Sequence, residues 1–364
     1  MNHLRALFLL TAILVAVSSC KKDENEYPIP DSYNFENVSY SGQLQRLAML
    51  TELKSYLQSA NTPGTVLDAG RLQAMYANNA AEAGWTGSYD ASKQLRDKTF
   101  EPQRALFDQL LAAIAAASAS SQPAAPGQAG VATTSDGAKR YLLNEGGVEL
   151  AQVIEKGLMG ACFYYQSTAV YFGADKMNVD NETVTPGEGT AMQHHWDEAF
   201  GYLGVPADFP LNTDGLYFWG NYANQRNALL GCNDKLMDAF LLGRAAINNK
   251  DYETRDEAIA EIRENWELVA AATAISYLNT AIARFDDTAT RNHALSEAVA
   301  FVYSLQFNPD KRIDNAQVAA LLAAIGGDSD FTQMNFYQAT VQALQSTKNA
   351  LAGYYDLQQL QDQF

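Results

Sequence analysis

One frame, written twice, constrains this chain more than any other feature. His194-His195-Trp196-Asp197-Glu198-Ala199-Phe200-Gly201-Tyr202-Leu203 and His293-Ala294-Leu295-Ser296-Glu297-Ala298-Val299-Ala300-Phe301-Val302 share the pattern H-x-x-x-E-A-x-[G/A]-[Y/F]-[L/V]. On an α-helix, positions i and i+4 stand one turn apart on one face, so each copy sets an imidazole beside a carboxylate. The chain has four histidines. His3 lies in a segment expected to be removed, which leaves His194, His195 and His293 as the whole imidazole supply of the mature protein.

The frames sit in a larger repeat. A long apolar helix is expected over 148–172, a polar loop over 175–189, then the helix carrying His194. A long Ala-rich helix over 257–285, a loop with Asp286, Asp287 and Thr290, and the helix carrying His293 follow in the same order. Long helix, loop, His-Glu helix twice over reads as a duplication. Helical spacing also marks Leu44 to Leu57, a short helix at 72–76, a helix opened by Pro102 and ending near Ser118, a helix over 224–247, and two more at 316–325 and 331–357. The small, Pro-bearing stretch 120–137 reads as an exposed loop, and no convincing period-2 strand occurs. The expected fold is all-α: two pseudo-symmetric, four-helix-like bundles, 41–204 and 221–364. They are joined by a Gly-, Pro- and aromatic-rich linker or lid at 205–220, where Asp208, Asp214, Tyr217 and Trp219 would line a cleft or simply pack.

Imidazole and carboxylate at i, i+4 form half of a site for a divalent transition metal such as Fe or Zn. Two such helices face to face would make one His2Glu2 centre from His194 or His195, Glu198, His293 and Glu297, with Asp197, Ser296 and Arg226 around it. Arg226 and Arg244 lie on one expected helix, and either would pair with Asp197 or Glu198 or point to water. The bland alternative is a buried polar network tying helices together. A third is acid–base chemistry, with Glu198 or Glu297 as general base on a metal-bound water. No G-x-S-x-G, H-E-x-x-H, P-loop or strand-borne G-x-G-x-x-G is present, and one His with one carboxylate per helix is a poor peptidase blueprint. The pattern is that of a binding protein more than of an enzyme.

The first 19 residues read as a secretory signal, with Arg5 ahead of an apolar run too short to span a bilayer. Val17-Ser18-Ser19-Cys20 resembles a lipobox, which makes Cys20 the lipidated N-terminus and residues 20–40 a lipid anchor and flexible tether through Pro28 and Pro30. The expected location is the cell envelope, as an outer-membrane lipoprotein facing the surface or the periplasm. The mature length suits one large domain or two. A formal charge of −17 argues against nucleic acid and against attraction to anionic lipid, so contact with the membrane would run through the anchor alone. After lipidation Cys162 and Cys232 remain, in a compartment where a disulfide persists but in apolar settings where free thiols pack as small hydrophobes.

His195-x-x-Glu198 in such a chain resembles the imelysin family (iron-regulated protein A, insulin-cleaving membrane protease), whose motif is G-x-H-x-x-E; here Gln193 stands at the glycine position. The wording HHWDEAFGY, HALSEA, GRAAINNKD and YNFENVSYSGQLQRLAML is closer to a family of uncharacterised bacterial lipoproteins with a domain of unknown function. The resemblance implies two pseudo-symmetric four-helix bundles and a role in iron or nutrient acquisition, with a metallopeptidase-like hydrolase and a surface scaffold as the alternatives.

Overall fold

The computed structural model describes residues 27–364. Residues 1–19, Cys20 and the charged stretch 21–26, where the signal, the lipidation site and most of the tether are expected, lie outside the described residues.

Helices build almost everything. In chain order they are α1 (Ser41–Ser59), α2 (Ala69–Ala77), α3 (Ala80–Ala83) and α4 (Arg104–Ser118), then the strands β1 (Gly130–Thr133) and β2 (Arg140–Leu143). There follow α5 (Leu150–Leu158), α6 (Ala174–Met177), α7 (Ala191–Gly201), α8 (Phe218–Leu230), α9 (Cys232–Asn249), α10 (Tyr252–Ala283), α11 (Thr288–Ser304), α12 (Asn315–Gly326) and α13 (Val341–Tyr354). The chain is mostly α, as its periodicity implies.

Beyond Leu158, α5 runs on without a break as two π-helical stretches, Met159–Tyr164 and Gln166–Tyr171. Wide π turns are rare and concentrate at functional sites. They coincide here with a close crossing. A Cβ on Gly160 would lie 2.2 Å from Ser304 Oγ, so only glycine lets α11 come this near. The long rod ends on Tyr171, whose hydroxyl reaches the first His-Glu helix.

α10 packs most extensively on α9 and α11, and α5 is wedged between α11 on one side and α1 and α4 on the other. One continuous apolar core runs from Tyr33 to Leu357, centred on the fully buried Trp196, Trp219 and Trp266. Because α5 packs on α11, that core crosses the expected boundary between 41–204 and 221–364 without a gap. Trp196 abuts Gly243, where a Cβ would sit 2.1 Å from the indole.

Three expectations are corrected. The 120–137 stretch is not simply a loop: β1 pairs antiparallel with β2, Gly130 opposite Leu143. Four-residue strands, Gly-Val-Ala-Thr and Arg-Tyr-Leu-Leu, are too short to show an alternation; their pairing is decided by the tertiary setting, where Asn61 Oδ1 accepts from Leu142 N–H at 2.8 Å. The single helix expected over 224–247 is two helices, broken at Gly231, whose φ of +59° is left-handed backbone that glycine adopts without penalty. Within 205–220, Trp219 is one of the residues that pack. Val205, Phe209, Phe218 and Trp219 are buried, and the Trp219 indole N–H donates to the Met159 carbonyl at 2.8 Å. The loop expected over 175–189 is partly the helical turn α6. As for the cysteines, both are buried and unbonded: Cys162 faces the Leu95 carbonyl and Cys232 that of Ala223.

Candidate functional site

α7 begins with a capping box. Thr190 Oγ1 accepts from Gln193 N–H, and the Gln193 side chain accepts from Thr190 N–H. That cap fixes the register which brings His194, His195 and Glu198 onto one turn. His194 Nε2 lies 3.9 Å from Glu198 Oε2, and His195 Nδ1 lies 3.1 Å from the same oxygen. An ionised carboxylate only accepts, so His195 donates from Nδ1 and leaves Nε2 as its lone-pair nitrogen. Glu198 Oε1 accepts from Gln43 Nε2 at 2.9 Å and from the Tyr171 hydroxyl at 3.0 Å. Lys98 Nζ stands behind, donating to Tyr171 Oη at 3.2 Å. Burial opposes the Glu198 charge, but the donors His195, Gln43 and Tyr171 and the field of His194 outweigh it and hold the carboxyl down at about 2. Burial, with the Glu198 charge beside it, pushes the Tyr171 hydroxyl well up. Both therefore keep fixed roles near neutrality, Glu198 as anion and Tyr171 as donor.

α11 starts from Asp287, whose side chain accepts from Thr290 N–H. His293 Nε2 stands 3.9 Å from Glu297 Oε2, the same i, i+4 spacing as His194 and Glu198. The surroundings differ. His293 Nδ1 donates to the fully buried Glu149 at 2.6 Å, and its ring stacks on Tyr141 from β2 at 4.2 Å. Ser296 Oγ accepts from Glu149 N–H, which seats the carboxylate that seats the imidazole. Lys156 Nζ lies 2.9 Å from Glu297 Oε1 and 2.9 Å from Glu155 Oε2, and Lys54 holds the other oxygen of Glu155 at 2.9 Å. Burial opposes the charge on Glu297, but Lys156 and His293 keep its carboxyl below the ordinary range.

The frame thus holds at both places, but the single His2Glu2 centre does not. Tyr171, which binds Glu198, and Glu149, which binds His293, lie at opposite ends of the α5 rod. Twenty-two residues of helix put them roughly 30 Å apart at ~1.5 Å or slightly less per residue. Among the described residues no three His, Cys, Asp or Glu side chains converge as a metal cage. The side chains expected around the centre also separate. Asp197 points away from Glu198 into the dry core, where it accepts from the Tyr33 hydroxyl at 2.7 Å and Arg244 Nε at 2.8 Å. Arg244, not Arg226, is therefore the arginine that meets α7. Arg226 is half-buried near Tyr222 and Tyr277, without an ion pair among the described residues. Ser296 does support the second cluster.

Gln43, Tyr171, Lys98, Glu149 and Lys156 were missed as members of these clusters. Their signal was faint: Gln43 occupies the third position of α1, and Gln152, which donates to Glu149 Oε1 at 3.3 Å, the third position of α5, and each helix meets a His-Glu helix. A duplicated unit of that kind is visible only once the partners are known.

The donor chemistry separates the two places. At the second, Lys156 already neutralises Glu297 through Oε1, so a second cation there would meet a buried ammonium. At the first, no cation touches Glu198 within ion-pair range apart from the imidazoles, and His194 Nδ1 is buried with no hydrogen-bond partner. Two imidazoles and one ionised carboxylate thus share one helical turn, the residue types a transition ion uses, without converging on a single point as they stand.

Comparison with known proteins adds one finding. The profile of the domain of unknown function DUF4856 matches residues 30–357. The chain belongs to this family. DUF4856 accordingly spans all the described helices and both His-Glu clusters. Neither a curated protein nor a solved structure matches the chain. No helix among the described residues is long and apolar enough to cross a membrane.

Proposed function

We propose that this DUF4856 protein is a cell-envelope binding protein, lipid-anchored through Cys20, whose ligand-binding end is the His194–His195–Glu198 cluster. The ligand is a divalent transition ion, iron or zinc, or a small molecule carrying one. His195 Nε2, the orphaned His194 ring and Glu198 supply part of the coordination and the ligand or water supplies the rest. Bound there, the ion would gain a fixed anionic partner; Gln43 and Tyr171 hold that carboxylate in place, and Lys98 stands close enough to meet an anionic co-ligand. The His293–Glu149–Glu297–Lys156 cluster is the structural polar pair of the alternative reading, neutralised from within.

The observation that carries this reading is the contrast between the carboxylates. Glu297 is matched by a buried ammonium, whereas Glu198 meets two imidazoles, an amide and a phenol and, among the described residues, no ammonium or guanidinium in ion-pair range. A role in iron or nutrient uptake rests on the resemblance to imelysins.

The test is a thermal-shift titration of the soluble body with Fe2+ (anaerobic) and Zn2+, on wild type, His195→Ala and His293→Ala. A ligand that binds only the folded state raises stability by RT ln(1 + [L]/Kd), about 2.7 kcal/mol at a hundredfold excess over Kd. Wild type and His293→Ala are expected to shift, and His195→Ala is not. A wild type unmoved by either ion, or a shift that survives in His195→Ala, would overturn the reading.

A further inference from the structure

Away from both histidine clusters, a cavity of about 270 Å3 opens between α1, α5 and the turn that leads into α8. The residues that matter in its lining are Lys54, Glu155, Tyr217, Phe218, Asn221 and Tyr222. The floor is charged. Glu155 is almost fully buried, gripped by Lys54 on one oxygen and Lys156 on the other. Lys54 stands at the mouth with 36% of its side chain exposed. An ammonium has three donors, and Glu155 takes one of those on Lys54. Asn221 is exposed on the rim, and the walls are aromatic: the Tyr217 and Phe218 rings are 6.4 Å apart and tilted by 33°.

The turn that sets those rings is strained. Phe218 has φ = +26°, outside the regions open to a bulky residue. Such backbone persists only where its surroundings impose it, and it gathers at ligand clamps. The surroundings here do impose it. Tyr217 N–H donates to the Gly204 carbonyl at 2.8 Å. A Cβ on Gly204 would meet Tyr217 Cβ at 2.9 Å, and one on Gly220 would meet the Gly204 oxygen at 2.7 Å. Two glycines therefore let the chain close tightly enough to turn two aromatic rings onto one small, polar-floored cavity.

The floor selects the class of ligand. A free cation would be opposed by Lys54 and a free anion by Glu155. A hydroxyl donates and accepts at once, so it satisfies both, and the face of a ring rich in C–H bonds packs on an aromatic wall. The volume lies just below the ~300–1,000 Å3 usual for ligand pockets. We infer that this cavity binds a small neutral polyhydroxylated molecule of monosaccharide size, its hydroxyls bridging Lys54, Glu155 and Asn221 and its C–H face resting on Tyr217. This site is independent of the one at Glu198.

Isothermal titration calorimetry on the soluble body tests it, with glucose, galactose, mannose and N-acetylglucosamine as neutral probes and glucuronate and glucosamine as charged counterparts. At least one neutral sugar is expected to bind saturably. Tyr217→Ala and Asn221→Ala, both at exposed positions and so expected to fold, weaken it by about tenfold each, the scale of one lost contact. Absence of saturable binding by every neutral sugar overturns the inference. So does binding unchanged in both variants, and so does tighter binding of a charged counterpart than of any neutral sugar.

Discussion

Replacing Glu198 with glutamine keeps an oxygen for Gln43 and Tyr171, removes the charge, and turns the oxygen that accepts from His195 into an amide NH2. The folded carboxyl is held at about 2, against an ordinary 4.5. At ~1.36 kcal/mol per pH unit, that difference links the Glu198 charge to about 3 kcal/mol of stability. The folded value lies below the unfolded one. The contribution is therefore present in full above pH 4.5 and is lost as pH falls from there towards 2. Glutamine has no such proton to bind. Urea unfolding of wild type and Glu198→Gln, in chelator and at a series of pH values from 7 down to 3, isolates the effect from the other carboxylates. The stability of wild type relative to the variant should fall by most of those 3 kcal/mol across that range. A difference that stays constant with pH would refute the reasoning, because Glu198 would then not be held as an anion by its neighbours.

Two further outcomes follow from the second cluster. Lys156→Met leaves Glu297 without its cation in a dry setting and should cost about 3–5 kcal/mol in urea unfolding, the scale for breaking a buried pair. Adding Glu297→Gln should recover part of the loss, and a single variant of near wild-type stability would remove Lys156 from the role assigned to it. Burial pulls the His293 imidazole down, but the hydrogen bond and charge of Glu149 and the charge of Glu297 raise it above 6.5. Its folded value being raised, its contribution is complete below pH 6.5 and is lost as pH rises through the folded value. The advantage of wild type over His293→Asn should shrink on the alkaline side, and an NMR titration of His293 should give a midpoint above 6.5. An unshifted midpoint would contradict the Glu149 contact.

Much of the helical layout was legible because amphipathic spacing is local. The periods that mark 41–59, 104–118 and 288–304 come from residues a few positions apart. The misreadings share a cause. Gly231 breaks 224–247 through one backbone angle that composition does not announce, and the β1–β2 hairpin is decided by what packs on it. Segment 205–220 has the Gly and Pro of a linker, and within it Phe209 and Trp219 are drawn into the core by apolar burial.

The H-x-x-x-E frame by itself determined that an imidazole would stand beside a carboxylate in each of two helices, because i, i+4 geometry belongs to the helix alone. Both separations are 3.9 Å. Whether the two pairs meet, and what each carboxylate is worth, lay outside the frame. The length of the α5 rod sets them at opposite ends of one helix. Glu198 became an anion held without an ammonium because Gln43 and Tyr171 arrive from distant parts of the chain to join the imidazoles. Glu297 became one half of a buried ion pair because Lys156 does. Long-range packing chose those partners, and a carboxylate's chemistry is set by whichever charges and donors replace its water.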